Sequence, residues 1–542
     1  MKNLLCFFLV VVGFAALAQP FSKADSLRGS ITPERAWWDL TFYHLKVEVM
    51  PNQKRLQGTN EIHYRVLTSG ELLQIDLQEP MVIDLVKQDG EELEFRRDGN
   101  AFFIQLRKKQ EQGSLQKLEV TFSGQPREAI RAPWEGGLSW KKDDRGNHFV
   151  ATSCQGLGAS VWWPCKDHMY DEVDSMAISV EVPSKLSNVS NGRLRSVVEN
   201  KSKRTRTFNW FVANPINNYG VSLNVGDYTS WKEKYQGEKG ELDITYWALK
   251  QDQGKAKKQW PNDVRRMLEA LEHWFGPYPF YEDGYQLVQA PYLGMEHQSS
   301  ITYGNGFENG YRGTDLSGTG WGLKFDFIII HESGHEWFAN NLTHKDIADM
   351  WLHESFTNYS ESLFVEYFYG KEAGQEYVRG TRANIEHQKP MIGTYGVNDE
   401  GYPIDVYYKG GNMLNTLRAV LNDDEHWRNL LRSLGEKFYH KTTDSKEVEA
   451  YIASFLKMDL TAFFDQYLRD VRIPTFEYYF KEEKMYYRWI NAIPEFDMPL
   501  VIEIGDAKQR ITPYAEWASL EIAEGDVTID PNYLISVLKS RQ

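Results

Sequence analysis

The chain has 542 residues, 42% hydrophobic and 25% charged. That balance excludes a disordered, collagen-like or multi-span membrane chain, and the length suggests three or four domains. The formal net charge is -15, from 61 basic and 76 acidic residues, which speaks against gripping nucleic acid or an anionic membrane through charge.

Residues 1–18 read as an export signal. Lys2 supplies a positive start, Leu4–Ala15 is apolar, and Ala16-Leu17-Ala18 has the small-x-small form of a cleavage site. The apolar run is shorter than the roughly 20 residues of a membrane span, and no later segment is long enough. The mature chain is therefore expected to be exported, periplasmic or secreted, with no membrane span after cleavage. No cysteine stands directly after Ala18, so no lipid anchor is expected. Cys6 leaves with the signal. Cys154 and Cys165 remain, and export permits a disulfide between them, with free buried thiols an equal reading.

Residues 19–250 read as a β domain. Leu45–Val49, Leu73–Leu77, Leu118–Phe122, Ile178–Val182 and Val221–Val225 alternate apolar and polar residues, as half-buried strands do. Asp98-Gly99 and Asn191-Gly192 mark turns between them. The period changes near residue 251. Val264, Met267, Leu268, Leu271 and Trp274 fall at helical spacing, and Gly276-Pro277 stops the run. Helical pattern dominates to about Leu468, including the stripe Trp427, Leu430, Leu431, Leu434, Phe438. Asp444 with Glu447 marks a further helix start. Strands return past Pro474, in Phe476–Phe480 and Leu500–Ile504. The expected domains are 19–250, 251–474 and 475–542.

The strongest chemical signal is His331-Glu332-Ser333-Gly334-His335. Residues four apart on a helix share a face, so both imidazoles can reach one zinc ion. A catalytic zinc takes a third protein ligand and keeps an open position. Glu354 is the candidate, after eighteen intervening residues, in a second helical pattern joined to the first by a turn near Asn340–Lys345. Glu332 adjoins one ligand but points off the ligand axis, which suits a general base that takes a proton from water. Gly334 weakens the helix by about 1 kcal/mol.

With this spacing the chain resembles the aminopeptidase N and leukotriene hydrolase family of gluzincin metallopeptidases. Gly294-Met295-Glu296-His297 is similar to the family's G-x-M-E-N exopeptidase loop. Trp163-Pro164-Cys165-Lys166-Asp167 is similar to its P-C-x-D segment, and Tyr407-Tyr408-Lys409-Gly410 to its Y-x-K-G segment. Asp349 and Trp351 match the approach to the third ligand. The resemblance covers about residues 35–475.

It implies a saddle-like all-β N-terminal domain, a thermolysin-like, mainly α catalytic domain and a short C-terminal β domain. The large helical C-terminal domain of many members has no room here. One zinc ion would be held by His331, His335 and Glu354. Glu332 would activate water. Tyr407 would donate to the oxyanion, with Tyr408 the competing choice. Glu296, helped by Gln155, would bind the free amine of a peptide. Four positions depart from the family or align loosely. His297 replaces the usual Asn and is expected to hydrogen-bond within its loop. Glu336 is expected to face solvent, and His353 to point away from the metal. Asp399 aligns only loosely with the amine site.

The leading expectation is a zinc aminopeptidase acting on peptides with a free N-terminus. Alternatives are an epoxide hydrolase or dual-function enzyme on the same site, an endopeptidase, and a non-catalytic exported binding protein. Nothing in the sequence speaks to oligomeric state.

Overall fold

The computed structural model describes residues 21–541, so the export signal lies outside the described residues. Two short helices open the chain, α1 (Lys23–Gly29) and α2 (Pro33–Ala36). An eight-stranded sheet follows, built around Trp38–Met50. That strand pairs antiparallel with Arg55–Val66 and parallel with Ser175–Pro183. Residues alternate in and out along Ser175–Pro183, as the period of two predicted. The inward side chains, among them Leu45, Val47, Ile62, Ile178 and Val180, join Trp38, Tyr64 and Trp163 in one core. Cys154 and Cys165 are buried there as free thiols.

The strand expected at Val221–Val225 is shorter than its pattern. It runs only over Asn224–Gly226. The Ser222 amide donates to the Asn191 side chain at 2.7 Å and the Leu223 amide to Thr152 Oγ1 at 3.0 Å. These side chains satisfy the backbone that a sheet ladder would otherwise pair.

A second sheet crosses the expected boundary at residue 250. The hairpin Tyr228–Gly237 and Gly240–Leu249 continues through parallel pairing of Gly240–Leu249 with Tyr285–Gln289, then to Ile301–Tyr303 and Gly294–Met295. Structurally the hairpin is the start of the second unit. Its inward residues Leu242, Ile244 and Tyr246 pack on α3 (Gln253–Phe275), which ends at Gly276 as its stop signal required.

The helical layer contains α4 (Phe327–Gly334), α5 (Trp351–Tyr369), α6 (Lys371–Gly380), α7 (Tyr408–Leu421), α8 (Asp424–Lys437), α9 (Ser445–Leu456) and α10 (Thr461–Phe464). Asp444 caps α9 by accepting from the Glu447 amide, as its spacing predicted. The tail forms a four-stranded and a three-stranded sheet. Its Phe476, Trp489 and Phe496 extend the core of the helical layer, and Tyr467 bridges the two by donating to the Leu534 carbonyl at 2.9 Å.

The β domain and the second sheet share an apolar seam. Val288, Tyr292 and Met295 pack into the β-domain core, and the Tyr292 hydroxyl donates to the Thr152 carbonyl at 2.6 Å. Among the described residues no helix is long and apolar enough to cross a membrane.

Candidate active site

Asp326 starts α4 by accepting from the Ile328 and Ile329 amides. The helix is buried on all sides, as its run Phe327–Ile330 demands. Its regular hydrogen bonding ends at Gly334, yet His335 keeps helical angles (φ -63, ψ -17), so both histidines still share a face. Gly334 has a packing reason. A Cβ there would lie 2.7 Å from Ser360 Oγ and 3.2 Å from Thr357 Cγ2, so glycine lets α4 press this closely on α5 without displacing the Ser360 hydroxyl.

That close approach brings Glu354, in the first turn of α5, against the histidine pair. Glu354 Oε2 lies 3.7 Å from His331 Nε2 and 3.4 Å from His335 Nε2. The other ring nitrogens are engaged elsewhere. His331 Nδ1 contacts Glu361 Oε1 at 2.8 Å, and His335 Nδ1 lies 3.1 Å from both the Phe338 carbonyl and Thr357 Oγ1. Glu354 Oε1 accepts from Gln155 at 3.0 Å, while Oε2 is buried without a hydrogen-bond partner.

These residues fit a zinc ion. Ligand atoms about 2.0–2.1 Å from a tetrahedral centre lie roughly 3.3 Å apart, close to the spacings here. Two imidazole nitrogens and one carboxylate oxygen leave the fourth position open. Burial alone would raise the Glu354 carboxyl, but His335 and His331 outweigh it and hold the group well below the usual carboxylate range.

A cavity of about 640 Å³ opens over this centre. Glu332, Tyr407, Glu296 and Gln155 all line it with the three ligands, so the structure brings every predicted site residue together. Burial, reinforced by Glu296 and Glu354 against the opposing His331 and His335, pushes the Glu332 carboxyl up to about 7. Gly294 makes room for it, since a Cβ there would stand 2.8 Å from Glu332 Oε1. Glu296 accepts from Gln155 at 2.9 Å, so one amide bridges the proposed amine anchor and a metal ligand.

Tyr407 lies just before α7 with its ring stacked on His331 at 6.0 Å. Burial and then the Glu354 charge raise its phenol, which keeps the hydroxyl a proton donor. Tyr408 also lines the cavity, but its phenol is raised by burial and by Glu361, on the far side of His331 from Glu354. The geometry favours Tyr407.

Glu336 corrects an expectation. It is fully buried rather than facing solvent. It accepts from the Tyr278 hydroxyl, from the Ser299 amide at 3.1 Å and from Asn340 at 2.8 Å. Asn340 also donates to the Glu296 carbonyl at 2.9 Å, so Glu336 ties the end of α4 to the Gly294–His297 loop. Beyond Gly334 the chain tightens, with the Glu336 and Trp337 amides donating to the Ser333 and Gly334 carbonyls, and Tyr278 and Ser299, distant in sequence, close over residue 336.

His297 is buried, and its one loop contact is Nδ1 to Thr302 Oγ1 at 3.5 Å. His353 points away from the metal centre, stacking on His344 and accepting its amide at 3.0 Å. Asp399 accepts from the Gly401 amide, and its neighbour Glu400 lines the cavity instead.

Two groups escaped the sequence reading. Glu361 lies seven residues after Glu354 on the same helix, two turns on, a spacing that could have exposed it. Its second oxygen accepts from the Tyr377 hydroxyl at 2.6 Å, which fixes the carboxylate that orients His331. Tyr402, five residues before Tyr407, donates to Gln155 Oε1 at 3.4 Å. Glu361→Gln is expected to lower zinc affinity by about 10–100-fold, read by chelator competition, with the thermal transition of the metal-free chain little changed.

An HExxH helix with a downstream glutamate set against its two histidines is the ligand arrangement of the gluzincin kind. The Peptidase family M1 domain matches residues 262–467, and the Peptidase M1 N-terminal domain matches residues 40–219. The chain belongs to the M1 peptidase family.

It is 22% identical to "Probable aminopeptidase 2" of Sulfurisphaera tokodaii, over 66% of this chain and 45% of that one. It is 23% identical to Aminopeptidase B of Rattus norvegicus, over 73% of this chain and 57% of that one. It is also 23% identical to Leukotriene A-4 hydrolase of Xenopus laevis, over 61% and 54%. The chain thus spans about half the length of the curated relatives it matches. In structure it resembles a variant of the M1 zinc metallopeptidase from Deinococcus radiodurans bound to a Tyr-Ser-Ala substrate. The TM-score is 0.67 and the identity 19%, covering 81% of this chain and 96% of that one.

Proposed function

We propose that this protein is a zinc-dependent aminopeptidase that removes N-terminal residues from peptides. The observation that carries the reading is the Gln155 bridge. Its amide donates to Glu296 at 2.9 Å and to Glu354 at 3.0 Å, so an ammonium-binding carboxylate stands one side chain from the metal centre.

When bound, the zinc ion supplies Lewis-acid polarisation of the scissile carbonyl and acidifies water. The chain's own residues do the rest. Glu296 and Gln155 anchor the substrate ammonium, which places the first peptide bond over the site. Glu332 takes the proton of the attacking water on its carboxylate and hands it to the leaving nitrogen. Tyr407 donates its hydroxyl to the oxygen that gains charge. Tyr407→Phe is expected to lower kcat by about 100–1,000-fold, far more than Tyr408→Phe, with the zinc content of both variants unchanged.

Aminoacyl anilides and short peptides test the reading, assayed free and N-acetylated, with chelator and after zinc return. Free amines should be cleaved in a zinc-dependent way and acetylated ones spared. Equal cleavage of both would point to an endopeptidase.

Export belongs to the same proposal, and the pattern of residues 1–18 supports it. Recovery from the periplasm or medium of a chain beginning at Gln19 is the expected result. An intact Met1 terminus in the cytoplasm would refute it.

A further inference from the structure

Helix α1 buries none of its residues completely, yet it is tied to both units of the protein. On the β-domain side, the Arg28 guanidinium donates to the Asp167 carbonyl, and Nη2 lies 3.3 Å from Asp167 Oδ2. Both groups are nearly buried, at 15% and 4% side-chain exposure. Arg28 lies close against Gly158, whose φ is +89°, and a Cβ there would meet both the guanidinium and the Asp167 carboxylate. Asp167 Oδ2 also accepts from the Ser160 amide at 2.9 Å. Buried Arg35 takes the last carbonyls of the helix, donating to Leu27 and Ser30 at 2.9 Å, and pairs with Asp76 at 2.6 Å.

On the catalytic side, Gly29 touches the Val397–Asn398 backbone so closely that a Cβ would stand 2.1 Å from the Val397 carbonyl carbon. The Asn398 amide donates to the Asp25 carbonyl at 3.3 Å. The Asn398 side chain reaches the Gly156 carbonyl at 3.3 Å and Glu400 at 2.9 Å.

The two loops that α1 touches meet at the amine end of the cavity. Cys154–Ser160 carries Gln155, and Gly396–Tyr402 carries Tyr402, which donates to Gln155. We propose that Lys23–Gly29 is a clasp that registers these loops against each other, with Arg28 a positioning residue for the Gln155 amide. Arg28 does not line the cavity. It holds Asp167, Asp167 holds the turn at Ser160, and that turn fixes the loop on which Gln155 reaches both Glu296 and Glu354. A buried ion pair is spent on this surface helix, and losing one partner strands the other.

The kinetic part of the test rests on the aminopeptidase reading, and hydrogen exchange tests the clasp without it. The variants are Arg28→Ala, Arg28→Lys and Gly29→Ala in the full chain, beside the unaltered protein. In Arg28→Ala, amides of Gly156–Ser160 and Gly396–Tyr402 should exchange faster while those of α4 and α5 stay protected. KM for an aminoacyl anilide should rise about tenfold with kcat within about twofold, as for a lost charge-assisted contact. An aminoacyl hydroxamate should bind about tenfold more weakly, whereas acetohydroxamate, which lacks the amine, should bind as before.

Arg28→Lys should recover part of the loss, and Gly29→Ala should loosen the 396–402 loop first. Unchanged exchange in both loops would overturn the clasp, as would equal weakening of both hydroxamates. If the unaltered protein cleaves no free-amine substrate, the aminopeptidase reading falls and exchange alone decides the clasp.

Discussion

Glu332→Gln should lower kcat by about 100–10,000-fold while KM and bound zinc stay near their unaltered values. The size follows from removing a positioned general base, which contributes that range in enzymes generally. Glutamine keeps the shape and fits the space that Gly294 leaves, but cannot accept the proton. The carboxyl is buried beside Glu296 and Glu354, and burial has already raised its basicity to the region where transfer to and from water is efficient. Because the side chain holds no metal, zinc analysis and turnover should separate. Loss of both together would mean that the substitution damaged the centre rather than the proton relay. Steady-state kinetics with metal analysis on the same preparation reads both.

Glu296→Gln should raise KM and lower kcat/KM by about a hundredfold for substrates with a free amine, the scale of a lost hydrogen bond between charged groups. The discrimination between free and acetylated substrates should shrink with it. Glu296 is 3% exposed, so its charge meets the ammonium away from bulk water, where the pairing is strong. Glutamine preserves the reach to Gln155, and only the charge is lost. A peptide panel assayed at one pH gives the ratio. An unchanged ratio would move the amine anchor elsewhere in the cavity, with Glu400 the next carboxylate to test.

Much of this site is legible in the sequence alone. His331, His335 and Glu354 are fixed by helical spacing and by a loop short enough to fold back, and those are local facts. Glu296 and Tyr407 needed the family resemblance, because nothing local separates them from an ordinary loop carboxylate or a core tyrosine. Glu336 was expected to face solvent because its partners Tyr278 and Ser299 lie 58 and 37 residues away, beyond any local pattern. Glu361 was missed because its role depends on the far nitrogen of His331 and on Tyr377, contacts made across the fold.

In the fold, strand alternation found the β domain, but the boundary at 250 followed the change of period. Sheet pairing ignores that change, since Gly240–Leu249 finds its partner in Tyr285–Gln289 across α3. Long-range pairing of this kind leaves no mark in a local window. Arg28 was invisible for the same reason, as its partner Asp167 is 139 residues away.

The central claim is one zinc ion held by His331, His335 and Glu354. Elemental analysis after dialysis against a weak chelator tests it most directly, run on the unaltered chain, on Glu332→Gln and on Glu354→Ala. About one zinc per chain is predicted in the first two and nearly none in the third. Equal zinc in all three, or none in the unaltered chain, would contradict it.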